Sequence, residues 1–251
     1  MELSLVVIAK NEAERIERCL ASVPFATEKV VLDSGSTDGT PEVAEAAGAR
    51  VIRTDWPGHV AQKNRGLEAA TQPWVLSLDA DEWLSEDAQR EIPARLAGSE
   101  ADGMSFPRCS CWLGTELRHG RWYPDRRIRL VRRGKGTWVG DDPHDRLEVS
   151  GTVERLKGDI LHVPYRDLSH HLDTIDRYTR VAAHSLHSRG VRARWWDVVG
   201  RPPAHFVNAF WLRRGFLDGV PGFAVATLGS TYVMCKWLRL WQVQQRREEG
   251  G

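Results

Sequence analysis

Ser77-Leu78-Asp79-Ala80-Asp81-Glu82-Trp83-Leu84 decides how this chain is read. The stretch continues the apolar run Trp74-Val75-Leu76-Ser77-Leu78, which reads as a buried strand and ends abruptly in an Asp-Ala-Asp triplet. Residues two apart on an extended segment point the same way, so the carboxylates of Asp79 and Asp81 converge at the strand's carboxyl end. Open α/β sheets bind their ligands there. Two hard oxygen ligands suit Mg2+ or Mn2+, ions that complete their shell with water and substrate phosphates. A structural reading competes with this one: Ser85 caps a following helix, and Glu86 and Asp87 complement its dipole.

Outward from this stretch, a repeating order of elements emerges. Leu3-Ser4-Leu5-Val6-Val7-Ile8 is a continuous apolar run, as expected of a strand covered on both faces. Ala13, Ile16, Leu20 and Val23 form a helical stripe closed by Pro24. Lys29-Val30-Val31-Leu32 predicts a second strand; Pro41 then suits the first turn of a helix. A strand over 50–53, a helix over 59–70 and the strand over 74–78 complete a β-α-β-α-β-α-β order. That order implies an α/β, mostly parallel sheet with helices on both faces. Lys10-Asn11-Glu12, the 33–38 segment and the 79–81 triplet stand at three strand carboxyl ends, the side on which the crevice lies. Beyond Glu82 the alternation breaks down. A helix over 86–96 is expected to be interrupted or ended by Pro93, and 104–112, 126–132 and 159–163 read as strands. A helix over 169–189 follows, and only 244–251 reads as disordered.

A length of 251 residues suffices for one sizeable domain and a smaller appendage. Thirty-five Lys and Arg against 34 Asp and Glu leave a net charge of +1, so no global field points to nucleic acid. Eleven tryptophans suit surfaces where a large apolar body needs one polar contact, as at sugar sites and membrane edges. Cys109 and Cys111 are spaced too tightly for the usual zinc pair, and with Cys19 and Cys235 they read as reduced thiols of a cytoplasmic protein. The first residues read as a strand and not as a signal peptide.

Four blocks carry a resemblance: 4–12, Val31-Leu32-Asp33-Ser34-Gly35-Ser36-Thr37-Asp38-Gly39-Thr40, Gln62-Lys63-Asn64-Arg65-Gly66 and Asp79-Ala80-Asp81. In order and spacing they resemble the nucleotide-binding half of a family 2 glycosyltransferase of GT-A fold. Pro143-His144-Asp145, Ile160-Leu161-His162 and the 213–219 segment resemble, more loosely, the branch that adds glucose to the lipopolysaccharide inner core. The resemblance implies an inverting, metal-dependent transfer of a hexose, glucose foremost, from a UDP-sugar to a lipopolysaccharide core or related glycan. Another lipid-linked or polysaccharide acceptor, or a non-catalytic nucleotide-sugar-binding protein, are the competing readings.

The resemblance also distributes roles. Asp33 is placed at the uracil N3–H, with an Asx-turn or helix cap as the structural alternative. Ser34 and Ser36 accompany it, and Asp38 is either a helix cap or a donor ligand. Lys10, Asn11 and Glu12 are placed near the uridine; Lys63, Asn64 and Arg65 meet ribose and phosphates or form a solvated helix face. Asp79, with Ala80 beside it, is placed at the ribose, and Asp81 and His162 at the divalent cation. Inverting transfer needs a carboxylate base. Asp145 stands where relatives carry a glutamate, with Asp142 as second candidate, although residues 140–143 also read as a turn.

Residues 1–165 are expected to form the catalytic domain, with 1–84 binding nucleotide and 85–165 binding acceptor, and 166–251 a helical, membrane-associating extension. Residues 219–235 are uncharged, yet shorter than a spanning helix, which needs about 20 apolar residues. With Trp211, Trp237 and Trp241 at its edges and Arg213, Arg214, Lys236 and Arg239 flanking it, the segment either lies on the inner leaflet or packs on the protein.

Overall fold

The computed structural model describes residues 2–140 and 145–248. The chain divides into two compact units: Met1–Cys109 with Asp125–His162, and Ser110–Pro124 with Val163–Gly251.

In the first unit the predicted alternation is present: β1 (Leu3–Ala9), α1 (Ala13–Ala21), β2 (Glu28–Asp33), α2 (Thr40–Ala46), β3 (Arg50–Arg53), α3 (His59–Ala69) and β4 (Trp74–Asp79). Then come β5 (Glu82–Leu84), α4 (Glu86–Leu96), β6 (Gly103–Trp112), which runs on into the second unit, and β7 (Thr115–Glu116), which belongs to it. The first unit resumes with β8 (Asp125–Arg132), β9 (Gly136–Val139), β10 (Arg146–Val149), β11 (Val153–Arg155) and β12 (Ile160–His162). The strand order is β3-β2-β1-β4-β8-β6-β12-β5, and β9 and β10 form a separate hairpin. Strands β3, β2, β1 and β4 are parallel; antiparallel pairing enters where β8 joins β4.

Side-chain alternation explains the layers. Leu5, Val7, Leu76 and Leu78 face one way, against Ile16 and Leu20 of α1, Ala44 of α2 and Ile92 of α4. Val6, Leu32 and Val75 face the other way, with Val131, Trp138 and the flank of α3. α3 approaches so closely that a Cβ on Gly66 would lie 2.5 Å from Val6 Cγ1, so only glycine fits there. Helix α4 runs through Pro93 to Leu96, contrary to the expected break. Ala88 and Ile92, fully buried on the sheet, hold it in place despite the missing N–H.

The second unit consists of the β7 segment, α5 (Leu168–Ser188), α6 (Trp195–Val199), α7 (Arg201–Phe206), a π-helical turn (Val207–Leu212), a 3-10 turn (Gly215–Asp218) and α8 (Gly219–Glu248). Ala183 of α5 packs with Trp237 and Leu240 of α8, and Trp112, Leu117 and Val225 form a second cluster. α8 is helical to Glu248, where the sequence had read as disordered from 244; Gln, Arg and Glu favour helix and no breaker intervenes. No helix among the described residues is long and apolar enough to cross a membrane.

Candidate active site

Register brings the strand ends together. Ala9 pairs beside Asp33, and Ile8 beside Asp79. The first two connections are stitched to one another: Asn11, at φ 57°, donates its backbone N–H to Ser36 Oγ at 2.9 Å and accepts the Thr37 N–H on Oδ1 at 2.8 Å. Asp38 Oδ2 accepts the Ala13 N–H at 3.1 Å, and Thr40 Oγ1 accepts the Glu12 N–H at 2.8 Å. Asp38 Oδ1 also accepts the Thr40 N–H at 3.1 Å, so one carboxylate caps the first turn of α1 and of α2 together. Hydrogen bonds from Thr40 and Ala13 keep its carboxyl below the usual carboxylate range. Asp33 is buried; its Oδ2 accepts the Gly35 and Ser36 N–H groups, both at 3.1 Å, while its Oδ1 is buried with no hydrogen-bond partner among the described residues.

A hollow of about 840 Å³ opens at these strand ends. Lys10, Glu12, Lys63, Asp79, Ala80, Asp81, Asp145 and His162 all line it. Lys63 is 4% exposed and bridges two acids: its Nζ is 2.8 Å from Asp79 Oδ1 and 2.6 Å from Asp145 Oδ2. Asp79 Oδ2 accepts Arg129 Nη2 at 2.9 Å. Burial pushes the Asp79 carboxyl upward, but Lys63 and Arg129 outweigh burial and hold it well below the usual carboxylate range. Asp81 stands apart from this pairing: its Oδ2 lies 3.4 Å from His162 Nε2 and 4.0 Å from Arg15 Nη1. Among the lining residues, seven Lys and Arg face four Asp and Glu, so the hollow favours an anion.

Glu82 and Arg129 form a support for Asp79 that the sequence does not announce. Glu82, fully buried, accepts the Asp79 N–H on Oε2 at 3.2 Å, and its Oε1 accepts Arg129 Nη2 at 2.7 Å and Arg108 Nη1 at 3.4 Å. Burial disfavours the charged Arg129 guanidinium, but Glu82 and Asp79 outweigh it and raise its pKa further. Arg129 lines the hollow while paired to Asp79 and Glu82, under the Trp138 ring at 5.3 Å. Lys63 lies at 4.4 Å from the same ring. Glu82 directly follows the triplet, and that adjacency was the one available signal.

Other sequence candidates lie outside the hollow's lining. Asn64 spends its amide on the Trp138 backbone, donating from Nδ2 to the carbonyl and accepting the N–H on Oδ1, both at 2.9 Å. Arg65 pairs with Asp55 at 2.6 Å, and Ser34 Oγ accepts Gln62 Nε2 at 3.0 Å. Asp142 falls outside the described residues. No group of three or more His, Cys, Asp or Glu that could hold a metal occurs among the described residues; Asp81 and His162, 3.4 Å apart, are two side chains that could face one cation. Two protein ligands, with water and diphosphate oxygens completing the shell, fit Mg2+ or Mn2+.

A half-parallel sheet with helices on both faces and an Asp-x-Asp triplet at a strand's carboxyl end defines a glycosyltransferase of the GT-A type. The model of Glycosyl transferase family 2 matches residues 4–144, and the chain belongs to that family. It is 28% identical over 250 residues to a lipopolysaccharide core biosynthesis glycosyltransferase, LpsC, of Rhizobium meliloti, covering 96% of this chain and 93% of that one. An uncharacterized glycosyltransferase of Rickettsia bellii is 43% identical over 257 residues, covering 97% of this chain and 86% of its own. In fold, the mannosyltransferase PcManGT from Pyrobaculum calidifontis, solved with GDP-Man and Mn2+, aligns at a TM-score of 0.56 over 96% of this chain and 87% of that one, at 16% identity.

Proposed function

We propose that this glycosyltransferase moves a hexose, glucose foremost, from a UDP-sugar to a lipopolysaccharide core or related glycan, with inversion and with a divalent cation. The convergence of Lys63, Asp79, Asp81, Asp145 and His162 on one cation-rich hollow is the observation that carries the reading. The likeness to LpsC supports the acceptor class.

The unpartnered Oδ1 of Asp33 supports a uracil whose N3–H it would accept. Lys10 and the Asn11-Glu12 turn flank the uridine, and Asp79, ionised by two cations, retains lone pairs for ribose hydroxyls. Asp81 and His162 would hold the cation, which when bound would stabilise charge growing on the leaving diphosphate. Lys63 fixes Oδ2 of Asp145, so Oδ1 receives the proton of the acceptor hydroxyl as that oxygen attacks the anomeric carbon opposite the diphosphate. A single displacement of this kind inverts the anomeric centre. Residues 1–84 would bind the nucleotide and the rest of the first unit the acceptor. The enzyme would work peripherally on the cytoplasmic face of a membrane, where a lipid-linked acceptor resides.

UDP release from UDP-glucose, UDP-galactose and UDP-GlcNAc, with and without Mn2+, tests the donor. Release that is fastest with UDP-glucose and depends on Mn2+ is expected. Release from none of them under any metal would overturn the proposal.

A further inference from the structure

The turn joining α7 to α8 ties Asn208 and Asp218 to the 118–121 segment and leaves large apolar side chains exposed. Gly120 donates its N–H to the Arg213 carbonyl at 2.9 Å, and Arg121 Nη1 donates to Asn208 Oδ1 at 2.9 Å. Asp218 accepts the Arg118 and His119 N–H groups at 3.3 and 2.9 Å and pairs with His119 Nδ1 at 2.7 Å. The backbone closes on itself at two glycines. A Cβ on Gly222 would lie 2.0 Å from the Gly215 carbonyl oxygen, and one on Gly215 would lie 2.7 Å from that of Ala209. The turn is thereby fixed, and what it presents is apolar: Trp211, Leu212, Phe216, Leu217, Val220 and Phe223 are each 41–79% exposed. Ring contacts make the patch continuous, with Phe210 5.1 Å from Trp211 and 5.7 Å from Phe223, and Trp211 5.7 Å from Phe216. Further along α8 the character changes, for Val225 and Ala226 are buried.

We infer that this turn is a membrane-insertion tip that enters one leaflet of an anionic bilayer; the inference rests on the peripheral placement proposed above. A tip that enters lipid needs its backbone polar groups satisfied from within, and the Arg213, Arg214 and Leu217 N–H groups and the Arg213 carbonyl of this turn are bonded inside the unit. Trp and Phe suit the interface between headgroup and acyl chain. Arg213 and Arg214, both exposed, sit between the aromatic residues with no carboxylate paired to either among the described residues, and they match anionic lipid phosphates. A symmetric dimer through the same patch would gather four arginines into one apolar interface, which disfavours a second chain as the occupant.

Co-sedimentation of the full chain with phosphatidylcholine vesicles, and with the same vesicles containing phosphatidylglycerol, tests the tip. The protein is expected to pellet with the anionic vesicles, less so at high salt. The pair Trp211→Ser, Phe216→Ser should weaken partition about tenfold or more, and Arg213→Gln with Arg214→Gln should weaken it about twentyfold on anionic vesicles only. Both double variants should keep wild-type UDP binding, because none of the four residues lines the hollow. Undiminished pelleting of both variants overturns the tip and leaves peripheral placement standing. A wild-type chain that pellets with neither vesicle overturns both, without touching the donor chemistry, which UDP release reads separately. A wild-type dimer that the Trp211/Phe216 variant converts to a monomer assigns the patch to self-association and also overturns the tip.

Discussion

Lys63 sits, almost wholly buried, between the carboxylates of Asp79 and Asp145 and against the Trp138 ring. Removing one partner from a buried charge cluster leaves the others uncompensated, so Lys63→Met should cost about 3–5 kcal/mol by denaturant unfolding. Asp145→Asn separates chemistry from binding: UDP affinity should persist while transfer falls about 10²- to 10⁴-fold, the range of a lost general base. Normal turnover in that variant would move the base to Asp142. In the second unit, Trp112 Nε1 donates to His171 Nδ1 at 3.1 Å, and Tyr165 stacks on the ring at 3.7 Å. Burial, with His170 nearby, lowers the His171 pKa from 6.5 to about 4. The folded state therefore resists a proton that the unfolded chain accepts below pH 6.5. Stability from this residue is complete above pH 6.5 and declines as pH falls toward 4. Thermal unfolding at pH 7 and pH 4.5 should show a smaller loss for His171→Gln, which keeps an acceptor for Trp112, than for the wild type; equal losses would remove His171 from the explanation.

At the scale of elements, the sheet depends on close approach as much as on apolar pattern. Gly66→Ala forces a methyl group to within 2.5 Å of Val6 Cγ1 and should destabilise by about 1–3 kcal/mol, read by chemical denaturation. An unchanged midpoint would mean that α3 shifts freely on β1. Much of this architecture is legible in the sequence, because apolar runs such as 3–8 and 74–78, punctuated by Asp, Gly and Pro, encode strand and turn locally. Pro93 misleads because burial of Ala88 and Ile92, a tertiary effect, overrides the local penalty. The Arg129 pairing is hidden for a different reason. It exists only because β8 lies antiparallel to β4, with Leu130 beside Leu76, which brings a guanidinium from 50 residues away to Asp79. Asn64 and Arg65 stand in a basic block of the sequence, whereas their partners, the Trp138 backbone and Asp55, come from a strand and a loop whose position no local pattern reveals.

At the scale of the molecule, a nearly neutral chain concentrates cations where the donor's diphosphate would sit and gathers exposed aromatic residues at one turn of its second unit. In the proposals above the first feature serves the transfer chemistry and the second its membrane placement, and each is open to its own test. The central claim is narrower: Asp81, left outside the Lys63–Asp79–Arg129 pairing, binds a divalent cation together with the diphosphate. Calorimetric titration of UDP into the wild type and Asp81→Ala, with and without Mn2+, tests it most directly. Mn2+ should tighten UDP binding about tenfold or more in the wild type and leave it unchanged in Asp81→Ala, whose metal-free affinity stays near wild type. The same Mn2+ enhancement in both proteins, or none in either, would contradict it.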